Sequence, residues 1–327
     1  GIPRGRFMHL GEGIDSCGKV KRKSIAIRRW PVTAVTLALL LMPLNSGFCA
    51  AAQSDVSMDE LAEVMPELRA GLDSVRLRKN PQLLNGATIK DKQLPKLLLK
   101  DVTLKGGTFK DCELPNLVLE NVTLENFTFE GSTIGGAEFR NVKFINCNFT
   151  GTYLAQSELT DCLFKGGAFT REKYNSFGGN PDFNKNVYDK VVFDGCAFKN
   201  DFFQGNAAGS IAFKNIKDPE NSTHTSEGRP FIHGFGVMLD FSGCSFGKIN
   251  LASVWRDSVI KFANSSFRGS SIWTGATKVS FEKCAFSGDT MLDIQGKVDL
   301  VDCTAPGGVE KGYETELVVK GGNFVSN

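Results

Sequence analysis

From Ile89 to Phe169 every fifth residue is Leu, Ile or Phe, for seventeen consecutive positions. The run is Ile89, Leu94, Leu99, Leu104, Phe109, Leu114, Leu119, Leu124, Phe129, Ile134, Phe139, Phe144, Phe149, Leu154, Leu159, Phe164 and Phe169. Two places before most centres stands a second, usually smaller residue, such as Ala87, Val102, Gly107, Cys112, Ala137, Cys147 or Ser157. The other three places in each five are mainly Lys, Glu, Asp, Asn, Thr and Gly. An amphipathic helix repeats about every 3.6 residues and a half-buried strand every second residue, so neither explains the pattern. A short extended segment with two inward residues, followed by a corner, does.

Four such sides close a coil of 20 residues, and coils stack about 4.8 Å apart through backbone hydrogen bonds. Residues 20 apart then share one inward column. Ile89, Phe109, Phe129, Phe149 and Phe169 are expected to form a structural ladder of this kind. Composition agrees: 26 Phe stand against 4 Tyr and 3 Trp, so the interior asks for rings without a polar handle.

The pattern resembles the pentapeptide-repeat family, whose loose consensus is Ala-(Asp/Asn)-Leu-x-x. The resemblance covers Ile89–Phe169 and continues imperfectly toward the C-terminus. It implies an all-β fold, a right-handed parallel β-helix of square section. The chain departs from the consensus by using Val, Leu, Cys and Gly where the family prefers Ala, and Phe freely at the centre. Those changes are expected to distort the square.

After Phe169 the register breaks. Residues 170–190, with Gly178, Gly179, Asn180 and Pro181, read as a loop. The pattern returns around Phe193, Cys196 and Phe198, again at Phe241, Cys244 and Phe246, and at Phe262 and Phe267. Phe281, Cys284 and Phe286 continue it, and Leu300 and Cys303 give a weaker copy. A second polar insertion is expected over 215–236, around Pro219, Asn221, Gly228 and Pro230. The reading is one solenoid, regular over 87–169 and looser over 170–327. Solenoid ends need covering. Ser57-x-x-Glu60 is a capping-box pattern, and Leu61, Val64, Met65, Leu68, Leu72 and Val75 give an apolar stripe. The segment 53–86 is therefore expected to be a linker and capping helix.

Residues 1–52 read as an export signal with leading residues. Lys19, Lys21, Arg22, Lys23, Arg28 and Arg29 precede an apolar run from Val32 to Met42, then Pro43 and the small residues Ala50, Ala51 and Ala52. An exported protein, periplasmic or secreted, is expected, or one anchored to the inner membrane if the segment is not cleaved. Formal charge is +2, but the first 52 residues hold eight Lys and Arg against two Asp and Glu, which leaves the remainder at −4. No basic field is present to draw that body onto nucleic acid.

Seven cysteines follow the signal: Cys112, Cys147, Cys162, Cys196, Cys244, Cys284 and Cys303. They fall at the small inward position and are read as small buried hydrophobes. Cys284 and Cys303, one coil apart, are the best candidates for a disulfide. There is no Cys-x-x-Cys, nucleophile motif, phosphate loop or dinucleotide fingerprint. No catalytic residue, metal or cofactor is expected. Asp240, Arg256, Asp257, Asp289, Asp293 and Lys297 are the charged residues that a glycan-active β-helix enzyme would have to gather. The insertion residues His224, Arg229, Phe231 and His233 are the candidate recognition loop, since loops on rigid scaffolds often carry binding.

The leading expectation is a non-enzymatic structural or protein-binding scaffold at the cell envelope, with an unknown protein or envelope component as partner. Self-association through the solenoid ends is a further expectation. Alternatives implied by the resemblance are a secreted effector acting on a host partner and a gyrase-binding DNA mimic. The near-neutral body argues against the mimic.

Overall fold

The computed structural model describes residues 8–14, 20–25, 72–170, 186–199, 203–217, 232–247, 252–255 and 257–324. The chain divides into two compact units, residues 1–55 and 56–327. In the first, strands Met8–Ile14 and Val20–Ile25 pair antiparallel. This pair lies within the segment read as the lead of an export signal. The apolar run 32–42 lies outside the described residues.

The second unit is a parallel β-solenoid of roughly ten turns. In its regular half each coil has four sides, taken in chain order. Side one holds Thr88–Lys90, Thr108–Lys110, Thr128–Glu130, Asn148–Thr150 and Ala168–Thr170. Side two is represented by Thr133–Gly135 and Tyr153–Ala155. Side three holds Leu98–Lys100, Val118–Glu120, Glu138–Arg140 and Glu158–Thr160. Side four holds Thr103–Lys105, Thr123–Glu125, Lys143–Ile145 and Leu163–Lys165. Each three-residue strand buries its centre. Register is fixed at 20: Phe109 pairs with Phe129 and Phe129 with Phe149.

The corners have one chemistry. The residue two after the centre is left-handed, with φ of 52° at Asp91, 53° at Asp101, 54° at Asn121 and 52° at Asn141. That conformation costs most L-residues about 1–2 kcal/mol, whereas Asn, Asp and Gly tolerate it. Hence the recurrent Asn, Asp and Gly in the repeat. The corner side chains also pair along the axis: Asn121 Nδ2 donates to Asp101 Oδ1 at 2.8 Å, and Asn141 Nδ2 to Asn121 Oδ1 at 2.9 Å.

Inside, the side-one ladder is continuous. Ring centroids are 5.5 Å apart for Phe109–Phe129, and 4.9 Å for both Phe129–Phe149 and Phe149–Phe169. Phe169 continues to Phe198 at 5.1 Å. A second stack runs up side four through Phe144, Phe164, Phe193, Phe213, Phe241, Phe262 and Phe281, with spacings of 4.5–5.4 Å. Neighbouring stacks meet edge to face, as at Phe149–Phe164, 6.0 Å and 65°. Each stacked or edge pair adds about 0.5–1.5 kcal/mol beyond burial.

The second half keeps the stacks but changes the section. Phe169 pairs with Phe198, 29 residues on, and Phe213 with Phe241, 28 residues on. The two insertions therefore add nine and eight residues to a coil of 20. They are shorter than the loops expected from sequence. Residues 186–190, read as loop, begin the strand Asn186–Asp194, and residues 232–236 begin the strand Ile232–Ser242. Their polar, Gly-containing composition hid the strands, whose inward residues are set by neighbouring coils. Both insertions fall between side one and side three. Beyond Asn186–Asp194 the corner between sides three and four is replaced by extended strand, so Phe203–Lys214, Ile232–Ser242, Val259–Ala263, Lys278–Glu282, Gly296–Val301 and Thr315–Lys320 form one continuous sheet. Coils here close in 21 and then 19 residues.

Toward the N-terminal side of the first coil lies a helix Ser74–Lys79, capped by Asp73, whose Oδ1 accepts from Arg76 N at 2.8 Å. A 3-10 turn Pro81–Leu84 follows. Leu77 and Leu84 enter the core, and Arg78 Nη2 donates to Lys96 O at 3.0 Å. The helix expected to start near Met58 lies outside the described residues, as does most of its stripe.

Candidate functional site

The inward small position is a hydrogen-bonding site as well as a packing site. Cys112 Sγ donates to Ile89 O at 3.2 Å, and Ser132 Oγ to Phe109 O at 3.2 Å. Thr152 Oγ1 does the same to Phe129 O at 2.9 Å, and Cys147 Sγ to Leu124 O at 3.3 Å. In each case the acceptor is a centre residue of the previous coil. Reading these cysteines as plain small hydrophobes missed that role. The sign available in the sequence was that Ser and Thr alternate with Cys at the same place. Burial pushes the Cys147 and Cys162 thiols up to about 11 and Cys196 to about 12. Thiols held so far above neutrality are poor nucleophiles and poor metal ligands.

Cys284 and Cys303 are free thiols in the structure, not a disulfide. Each thiol also meets a carbonyl two residues before it, Cys284 Sγ to Glu282 O at 3.4 Å and Cys303 Sγ to Val301 O at 3.4 Å. A hydrogen bond between the pair and then burial push Cys284 up, while the same bond draws Cys303 down.

The first insertion is patched by a buried polar group. Asn186 Oδ1 accepts from Ser157 N at 3.0 Å, and its Nδ2 donates to Leu154 O at 2.9 Å and Tyr188 OH at 3.3 Å. Asn186 holds the small inward position of side three, one coil beyond Ser157, and its bond to Leu154 O repeats the bond that Ser132 and Thr152 make to a centre residue of the coil before. This residue was not singled out from sequence, because nothing local marks an Asn as buried.

Among the described residues, the charged groups that an enzyme would need lie on different parts of the fold. Asp240 is outward on the flat sheet, and Lys297, on the same sheet, lies 3.5 Å from Glu316. Asp293 is on the separate sheet of Ser271–Thr274 and Met291–Ile294. Asp257 takes a left-handed corner at φ 54°, and Asp289 is exposed beside Gly288. Arg256 lies outside the described residues. Among the described residues no three His, Cys, Asp or Glu groups converge to hold a metal. No described helix is long and apolar enough to cross a membrane. Of the candidate recognition loop, His224, Arg229 and Phe231 lie outside the described residues. His233 is in a strand, pairing with Asn206 and Ser253. Its place in the ladder follows from neighbouring coils, not from its local sequence.

What the described surface does offer is a trench of about 320 Å³ on the outer face of sides three and four. Its floor is Ser210 and Ala212, and its walls include Val192, Met238 and Val259. Lys190, Asp240 and Lys261 stand around it. Met238 is 57% exposed.

No curated protein matches the chain. Residues 124–161 and 137–171 match the family of Pentapeptide repeats, in eight copies. That match falls on the stretch where the square coil is most regular and the left-handed corners recur every five residues. Period, coil geometry and match coincide on the same residues: 124–171 of this chain are pentapeptide repeats, stacked as a β-solenoid.

Proposed function

We propose that this protein is a non-enzymatic, protein-binding scaffold that works at the cell envelope after export. The observation that carries the reading is how the solenoid divides its side chains. Inward positions are consumed by stacked rings and by hydroxyl and thiol bonds to carbonyls, as at Phe149 and Ser132. Outward positions form flat rows at a fixed spacing of about 4.8 Å, a rigid display surface with little ordering cost on binding. Export is supported by the basic-then-apolar pattern of residues 19–42 followed by Ala50–Ala52.

The test is expression of the tagged full chain with fractionation and sizing. A mature form shortened near Ala52 in the envelope or periplasmic fraction is expected. A full-length protein confined to the cytosol would refute the export half. For the scaffold half, a defined partner should be recovered by reciprocal capture from envelope extracts. Turnover of an envelope glycan that disappears in Asp240→Asn or Asp293→Asn would replace the scaffold by an enzyme.

A further inference from the structure

We infer that the edge strand Thr315–Lys320 pairs with the same strand of a second copy, antiparallel about Val318, and so joins two solenoids end to end. Of the two solenoid ends that the sequence offers for self-association, this is the open one. The inference stands apart from the scaffold reading.

The two ends of the coil stack differ. At the N-terminal end the helix Ser74–Lys79 and the turn Pro81–Leu84 pack on the first coil, where Leu77 and Leu84 are buried. At the other end Thr315–Lys320 is the outermost strand of its sheet, paired on one edge with Gly296–Val301. Leu317 and Val319 continue the inward columns of Val298 and Leu300. Val298 and Leu300 are fully buried, but Val319 is 43% exposed, and Leu317 and Phe324 are only partly covered. The core therefore reaches this end with apolar side chains still in water. The backbone is open as well. Glu314 O and Lys320 O accept from Gly296 N and Asp302 N of the coil before. Peptide groups alternate in direction along a strand, so those of Leu317 and Val319 point off the end of the stack. An edge of this kind is a template for another strand.

The strand is its own complement, which selects a second copy as the occupant. In an antiparallel pair centred on Val318, Leu317 of each copy stands opposite Val319 of the other. Both are inward residues, so the two cores meet, and both carry the peptide groups that are free to exchange hydrogen bonds. Glu316 of each copy then faces Lys320 of the other, and the two-fold axis makes this contact twice. Position decides here, not net charge, since Lys297, Asp299, Glu316 and Lys320 balance on this part of the sheet. Glu316 lies 3.5 Å from Lys297 and would sit between two cations, while Lys320 is exposed. Moving the axis by one residue sets Val318 opposite Glu316 or opposite Lys320. Placing it between residues sets inward side chains against outward ones. With the N-terminal end covered, the pairing closes at two copies.

The test is sedimentation of the full chain over about 1 µM to 1 mM, a span that reaches weak dissociation constants. Wild type should pass from monomer to dimer. Lys320→Glu and Glu316→Lys each put like charges opposite one another twice, and each should weaken the dimer about five- to thirtyfold. Mixed in equal amounts, the two variants face opposite charges again and should associate more tightly than either does alone. Amide exchange at Leu317 and Val319 should slow as wild-type concentration rises, and exchange at Val318 should not change. A wild type that stays monomeric, a dimer that neither variant weakens, or variants folded by circular dichroism that do not pair on mixing overturns the inference. If a variant does not fold, wild-type exchange decides: rates at Leu317 and Val319 that ignore concentration overturn it. Each of these failures leaves the scaffold reading standing, because capture of an envelope partner is a separate measurement.

Discussion

Gly107 offers the sharpest test of the packing. It occupies the small inward position directly before Phe127 in the same column, where a full aromatic ring replaces the usual small residue. A Cβ on Gly107 would lie 2.5 Å from the Leu84 carbonyl oxygen and would overlap the Phe127 ring. Overpacking of this kind costs about 1–3 kcal/mol. Removing glycine's freedom in the unfolded chain returns about 0.4–1 kcal/mol. Gly107→Ala should therefore destabilise by about 1–2 kcal/mol net. Gly135→Ala is the control, because nothing lies within 4 Å of its added methyl and its φ is not left-handed. It should be neutral or stabilising. A cycle with Phe127→Ala isolates the ring. That change alone should cost about 3–5 kcal/mol. The Leu84 contact is present in both halves of the cycle and cancels. The double variant should then lose less than the sum of the singles by about 1 kcal/mol or more. Urea unfolding followed by circular dichroism, with m unchanged, reads all four proteins. The reasoning fails if Gly107→Ala is as stable as wild type, or if the cycle is additive within about 0.5 kcal/mol.

Other expectations follow from the same geometry. Asn121→Val puts a β-branched residue at φ 54° and breaks the corner ladder; it should cost about 1–2 kcal/mol in chemical denaturation, and Asn121→Gly much less. Asn186→Ala leaves Ser157 N and Leu154 O without their partner; a loss of about 2–4 kcal/mol is expected by the same assay. The Cys147 thiol has its pKa raised on folding from 9.0 to about 11. The folded state holds that proton more tightly, so the contribution is complete below pH 9 and lost as pH rises toward 11. Thermal midpoints should fall across that window, less steeply in Cys147→Ala. A thiol reagent at pH 7.5 should label none of the seven described cysteines until the chain is unfolded.

The architecture was legible because a solenoid repeats its instructions. One column of Leu, Ile and Phe at a five-residue spacing fixes side length, coil length and stacking together. What the period could not convey was the use of the smaller column. Cys112, Ser132 and Thr152 look unlike one another by hydrophobicity, yet each donates to a carbonyl of the coil before it. The strand at Asn186–Asp194 was hidden for a related reason. Its inward face contains Asn186 and Tyr188, whose burial is decided by partners some thirty residues away. The trench was beyond reach of sequence, since Ser210 and Ala212 matter only by being shorter than residues 20 before and 28 after them. Asp240, one of the charged residues that a glycan-active enzyme would have to gather, stands instead on one wall of that trench.

The unequal coils give the molecule a mechanical signature. Each coil is bonded only to those on either side, so tension applied at one terminus should strip turns one at a time. A regular turn of 20 residues would release roughly 60–70 Å of slack. The turns that carry the insertions would release roughly 90–100 Å. A force–extension record should then be an even staircase in the regular half, broken by two long treads that mark where extra chain has been threaded into an otherwise uniform spring.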